Sequence, residues 1–207
     1  MTKVKICGIT NLDDARHAVD CGADMLGFNL YHQSSRYVEP TAARRIAGEL
    51  ADTSVEKVGV FVNAEVGEIA AIAKRVGLDA VQLHGNEAAD MVSRIQEILP
   101  EIEVIKAIRV DATFTVDSLS TYRPARILLD GDAGTLFGGA GRAFDWSVVG
   151  GLTGIILAGG LTPENVGDAI REVRPYAVDV ASGVESAAGK KDRKKVAAFI
   201  KAVKEAL

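Results

Sequence analysis

The chain has 207 residues, 48% of them hydrophobic, with 24 Lys and Arg against 28 Asp and Glu. That apolar share supports a sizeable core, and the net charge of −4, with the basic residues spread along the chain, argues against a nucleic-acid partner, whose surface needs a concentrated positive field. Two cysteines make no disulfide framework, no apolar run approaches the ~20 residues that cross a bilayer, and no basic segment precedes an apolar run at the start; we therefore expect a reduced, cytoplasmic setting without a membrane partner.

The chain opens with "KVKICGIT" (3 to 10), which alternates charged and apolar residues like a strand and stops at Cys7, followed at once by Gly8. "NLDDARHAVDCG" (11 to 22) reads as an amphipathic helix; Thr10 and Asp13 have capping-box spacing, Gly22 stands at its stop, and Cys21 reads as packing. "MLGFNL" begins near 25, and Arg36 follows it in a loop before the helical "TAARRIAGEL" (41 to 50). "KVGVFV" near 57, the helical "EVGEIAAIAKRVG" (65 to 77) with its stop at Gly77, and "AVQLH" near 80, ending in Gln82 and His84, continue the rhythm. After the helical "NEAADMVSRIQEIL" (86 to 99) come "VIKAIR" near 104, "RILLD" near 126, "GIILAG" near 154 and "AVDVAS" near 177. The basic run "GKKDRKK" (189 to 195) opens the last helix and reads as a solvated face.

Eight nearly continuous apolar strands alternating with helices imply a parallel sheet covered on its outer face. The economical closure is a (β/α)8 TIM barrel, one catalytic domain over 1–207, with an open doubly wound sheet as the rival. In such a barrel, functional groups sit at the C-terminal ends of the strands.

That rule selects Cys7, Arg36, Gln82, His84, Asp130 and the turns after the last two strands. A lone cysteine is more often a small buried hydrophobe; to act as a base, Cys7 needs its thiolate stabilised, which the helix start near Thr10 could do. Asp130 ends an apolar strand that gains nothing from a carboxylate, which marks it as a candidate acid, with Asp132 as competitor. Asp179 reads as a structural hydrogen-bonding group, and His84 fits either role.

"LAGGLTPENV" (157 to 166) and "ASGVES" (181 to 186) offer backbone N–H groups unobstructed by Cβ, so Gly159, Gly160, Ser182 and Gly183 form a candidate phosphate site. "GDAGTLFGGAGRAFDW" (131 to 146), with Gly138, Gly139 and Gly141 and with Phe144 and Trp146 as anchors, reads as a lid. No metal site is expected, because His17, His32 and His84 lack ligand spacing.

Together, "KVKICGIT", "SSRYV", "VQLHGNE", "LLD", "GGAGRAFDW", "LAGGLTPENV" and "VDVASGVES" resemble the phosphoribosylanthranilate isomerase family of tryptophan biosynthesis, over essentially the whole chain in order. The resemblance implies an Amadori rearrangement of N-(5′-phosphoribosyl)anthranilate to 1-(2-carboxyphenylamino)-1-deoxyribulose 5-phosphate by general acid–base catalysis, without cofactor or metal. By the same resemblance Cys7 is the general base, Asp130 the general acid, and Arg36 the residue facing the anthranilate carboxylate. The partner is then a small phosphoribosyl substrate; monomer and homodimer both stay open.

Three positions depart from the family's pattern. Ser35 replaces the common proline before the arginine, which leaves the pose of Arg36 less rigidly set; Ala140 and Arg142 replace the usual hydroxyl residue and lysine of the lid. A related histidine-pathway isomerase is the rival enzyme, but it carries an aspartate where this chain has Cys7. A silent phosphate-binding barrel is the rival outside enzymes, and it gives no reason to keep both Cys7 and Asp130.

Overall fold

In a computed structural model of the chain, which describes residues 1–122, 125–131 and 145–206, the eight apolar runs form eight parallel strands that close into a barrel in sequence order. The strands are β1 (Lys3–Cys7), β2 (Met25–Asn29), β3 (Glu56–Phe61), β4 (Ala80–Leu83), β5 (Glu103–Val110), β6 (Arg126–Gly131), β7 (Ile156–Leu157) and β8 (Ala177–Val180). β1 completes the ring by pairing with β8, Lys5 opposite Asp179 and Ile6 opposite Val180.

The near-continuous apolar pattern follows from burial on both faces. Val4, Ile6, Leu26, Phe28, Val81 and Leu83 point outward into the cluster beneath the helices. Met25, Val58, Ala80, Ile105, Leu128, Ile156 and Ala177, from β2 to β8, fill the lumen. β1 contributes a lysine to the interior instead. The side chain of Lys5 is 0% exposed, and its ammonium donates to Asp179 Oδ1 at 3.0 Å. A charge this deep is tolerated only because a partner and hydrogen bonds replace its water.

Among the described residues, six α-helices surround the strands: α1 (Leu12–Cys21), α2 (Pro40–Glu49), α3 (Val66–Val76), α4 (Ala89–Ile98), α5 (Val166–Val173) and α6 (Arg193–Glu205). α1 starts one residue later than the Thr10 and Asp13 spacing suggests. Asn11 is the N-cap, its side chain accepting from Asp14 N at 2.9 Å, while Thr10 Oγ1 donates to Gly189 O. Gly22 (φ 102) and Gly77 (φ 77) end α1 and α3 in the left-handed region, as their positions suggest.

The strand–helix rhythm weakens after β5 and β6, where the described residues form only 3-10 turns, Val116–Tyr122 and Trp146–Val149. In the first, only Leu119 is buried, and Ser118 and Ser120 donate to backbone carbonyls of Thr115 and Asp117, offering the chain an alternative to helix.

The basic run 189 to 195 is a solvated face at Lys190, Arg193, Lys194 and Lys195, as expected, and departs from that reading at Lys191. Lys190–Lys191 is a short strand, β10, paired antiparallel with β9 (Glu185–Ala187), and Lys191 is buried. α6 begins only after Asp192, whose Oδ1 accepts from Lys194 N and Lys195 N.

Candidate active site

Strand alternation turns Cys7 and Asp130 into the lumen at the C-terminal ends of β1 and β6. Outward-facing Ile6 and Leu129 precede them in the cluster under the helices. Cys7 pairs in register with Gly27 of β2, and a Cβ on Gly27 would lie 2.6 Å from Cys7 Sγ and 3.0 Å from its Cα. The glycine therefore makes the room that the sulfur occupies.

Burial pushes the Cys7 thiol above its ordinary pKa, and Asp179 acts in the same direction; Lys5 and Lys191 oppose both without prevailing. For Lys5, burial alone would lower the pKa, but Asp179 and Cys7 outweigh it and hold the ammonium charged. The charged side chains acting on the sulfur are therefore Lys5, Asp179 and Lys191.

Asp130 is held by a chain of side chains. Gln82 Nε2 lies 2.7 Å from His84 Nδ1, and His84 Nε2 lies 3.1 Å from Asp130 Oδ2. With the amide nitrogen donating to Nδ1, the ring hydrogen sits on Nε2 and is donated to Oδ2. His84 itself is fixed by the loop that carries it. Lys106 Nζ donates to Gly85 O at 2.7 Å and Glu87 Oε2 at 2.8 Å, and Glu87 accepts from Gly85 N and Asn63 N. A Cβ on Gly85 would strike the Asn63 side chain.

Arg36 lies in the loop between β2 and α2, its stem over Gly8, where a Cβ would come within 2.7 Å of Arg36 Cδ. Gly8 has φ +78, so both its conformation and its space call for glycine. Glu185 grips the guanidinium: Nε donates to Oε1 at 2.9 Å and Oε2 at 3.1 Å, and Nη2 donates to Oε2 at 2.7 Å. The expectation that Ser35 leaves Arg36 loosely posed is corrected by this bidentate clamp.

The two glycine turns meet. Gly183 packs so closely on Leu161 O that no Cβ could fit, and a Cβ on Gly159 (φ +88) would strike Gly131 N and come within 2.8 Å of Asp130 Oδ1. Gly160 also has positive φ. Ser182 opens the 3-10 turn Ser182–Val184. The rim is therefore continuous: Lys191 Nζ donates to Cys7 O and Ala181 O, Gly183 touches Leu161, and Gly159 abuts Asp130. Cys7, Arg36, Asp130, Gly159, Gly160, Ser182 and Gly183 all border one mouth.

The lid glycines Gly138, Gly139 and Gly141, with Asp132, Ala140, Arg142 and Phe144, lie outside the described residues. Trp146 packs against the core and opens a turn capped by Asp145.

Sequence reading missed Lys5, Gly27, Glu185 and Lys191. Lys5 had a signal: it lies two residues before Cys7 and so on the same face of the strand, where a lysine needs an interior anion, and Asp179 in "VDV" supplies one. Glu185 and Lys191 had none, because only the β9–β10 hairpin brings them to Arg36.

This chain is similar along essentially its whole length to named proteins and solved structures. A Trichlorobacter lovleyi protein named N-(5′-phosphoribosyl)anthranilate isomerase is 46% identical, with 100% of both chains covered. The crystal structure of phosphoribosyl anthranilate isomerase from Thermotoga maritima superposes with TM-score 0.91 at 46% identity, covering 99% of this chain and 100% of that one. A second crystal structure of such an isomerase, in complex with reduced 1-(o-carboxyphenylamino)-1-deoxyribulose 5-phosphate, gives TM-score 0.86 at 45% identity over 99% of this chain and 100% of that one. With the model of N-(5′-phosphoribosyl)anthranilate isomerase also matching residues 4–202, the chain belongs to that family of isomerases.

Proposed function

We propose that residues 1–207 form one catalytic domain in which Cys7 and Asp130 carry the Amadori rearrangement of N-(5′-phosphoribosyl)anthranilate as base and acid. The observation that supports this most is their shared placement: both turn into the lumen at strand tips on one continuous rim. Asp130 Oδ2 is engaged by His84, so Oδ1, on the side of the Gly159 turn, is the oxygen that delivers a proton. That proton goes to the furanose ring oxygen as the bond from C1′ to it breaks, and the anilinic nitrogen lone pair forms C1′=N⁺. Cys7 then removes the proton from C2′, whose acidity the adjacent iminium raises, and the electron pair neutralises the nitrogen as an enolamine. Tautomerisation to the ketone completes an isomerisation in which electrons balance without an external redox partner.

Arg36 faces the anthranilate carboxylate, and the phosphate rests on the N–H groups of Gly159, Gly160, Ser182 and Gly183, in a turn geometry that only glycine supplies at the first two. The lid reading of Gly138, Gly139 and Gly141 stays with this proposal. Two free thiols, Cys7 and Cys21, accord with a reducing cytoplasm.

The test is direct. Phosphoribosylanthranilate generated in situ should lose its fluorescence on addition of the chain; persistence of the signal with a ligand that binds would leave a silent binding barrel.

Gly27→Ala is expected to lower kcat by about 10²-fold while the fold stays intact, because the new methyl displaces Cys7 Sγ from its line to the substrate. Steady-state kinetics beside a thermal melt measure both; turnover within about twofold of the parent would detach the sulfur's position from the reaction.

A further inference from the structure

We propose that Glu185, braced by Lys191, is a positioning residue for Arg36: it holds one edge of the guanidinium so that the other edge meets the ring carboxylate of the substrate. The inference rests on the reading of Arg36 given above and goes beyond it, because it assigns the residue that sets the orientation of the arginine.

The geometry is specific. A guanidinium has two edges able to make paired hydrogen bonds. Glu185 takes the edge formed by Nε and Nη2, through three contacts of 2.7 to 3.1 Å, which directs Nη1 and the outer hydrogen of Nη2 elsewhere. The carboxylate is itself immobilised. It is 7% exposed, and Oε1 also accepts from Lys191 Nζ at 3.0 Å and Gly189 N at 3.2 Å. Lys191 Nζ directs its other hydrogen bonds to Cys7 O at 2.6 Å and Ala181 O at 3.2 Å, so the clamp is tied to the tips of β1 and β8. The β9–β10 register, Lys191 opposite Glu185, holds this arrangement in place.

Electrostatics alone predicts the opposite role. Arg36 and Lys191 carry two positive charges and Glu185 one negative, so one positive charge remains for an anionic ligand. Burial works against the Glu185 carboxylate, but Arg36 and Lys191 outweigh it and keep the group ionised. If charge count governed carboxylate binding, neutralising Glu185 would tighten it. If Glu185 acts as a clamp, neutralising it loosens the carboxylate despite the added positive charge. The two accounts differ in sign.

The experiment measures dissociation constants by calorimetry for two probes: reduced 1-(o-carboxyphenylamino)-1-deoxyribulose 5-phosphate and the same molecule without the ring carboxyl. The parent chain is expected to prefer the carboxylated probe by about 10- to 100-fold, the range of charge-assisted hydrogen bonds. In Glu185→Gln the preference should fall to about threefold or less, while the carboxyl-free probe binds as before. Glu185→Asp keeps the counter-charge, and with it the fold, if the glutamine variant does not fold. It should lose the preference too, because the shorter side chain cannot reach both Arg36 and Lys191. A parental preference in either folded variant, or a larger one in Glu185→Gln, overturns the clamp. A parent chain that does not distinguish the probes overturns the carboxylate reading of Arg36 itself.

Discussion

Cys7→Ser is expected to reduce kcat by about 10³-fold, within the range that a positioned general base contributes, and to leave the affinity for the reduced product analogue within about threefold. Serine preserves the position of the heteroatom beside Gly27 and the space around it, so binding through Arg36 and the glycine turns should persist. It removes the ionisation. A hydroxyl stays protonated where a thiol can lose its proton, and among the described residues the side chains acting on this site are already engaged: Asp179 by Lys5, and Lys191 by Glu185.

The surroundings of Cys7 also fix how its ionisation depends on pH. Burial and Asp179 raise the thiol, Lys5 and Lys191 pull it down, and Arg36 bears on the same group; the net shift is upward. The protonated form therefore persists beyond the ordinary thiol range, and the fraction of base grows as the pH rises. In a Cys21→Ser background, alkylation of Cys7 by iodoacetamide should accelerate through pH 9 without reaching a plateau, since 9.0 is the ordinary value from which the thiol is raised. A plateau near neutrality would mean a preformed thiolate. Near-parental turnover by Cys7→Ser would remove the sulfur from the mechanism altogether.

How much of this was legible follows from the range over which each feature is encoded. The eight strands are readable because a strand buried on both faces writes its burial into consecutive residues, as in "RILLD" and "AVDVAS". Asp130 is readable for the same reason, as a carboxylate at the end of an apolar run where the barrel opens, whereas Cys7 is readable only as the last residue of its strand, its candidate role resting on the family resemblance. Gly159 and Gly160 announce a turn, and both take positive φ. Glu185 and Lys191 are not readable in this way. They lie in a short hairpin whose two strands have three and two residues, and the significance of that hairpin is its approach to Arg36, 149 positions away from Glu185 along the chain. Gln82 and His84 sit between these cases. Their i, i+2 spacing puts both on the inner side, yet it takes the curvature of the sheet across the intervening β5 to bring Asp130 of β6 within reach of the His84 ring.

Asp130→Asn is expected to lower kcat by about 10³-fold or more while alkylation of Cys7 and binding of the reduced product analogue stay near parental, because the substitution removes a proton donor and leaves the opposite wall unchanged. The chain Gln82, His84, Asp130 explains why the isosteric amide should fail. Nε2 of His84 donates to Oδ2, so the asparagine must present its carbonyl oxygen there and direct its NH₂ toward the place of Oδ1, beside Gly159. The amide can then donate a hydrogen bond to the furanose oxygen but cannot release a proton to it, and the C1′–oxygen bond has no acid to assist its breaking. Because ring opening precedes loss of the C2′ proton, the intact thiol cannot compensate: the iminium that acidifies C2′ does not form. Rapid-quench analysis should find unopened substrate on Asp130→Asn and no accumulated product. Turnover within about tenfold of the parent would assign the acid elsewhere, with Asp132 the next carboxyl along the chain. The combination of retained binding, retained thiol chemistry and lost ring opening is one that global disruption of the barrel cannot produce, which is why this substitution separates the acid from the architecture that holds it.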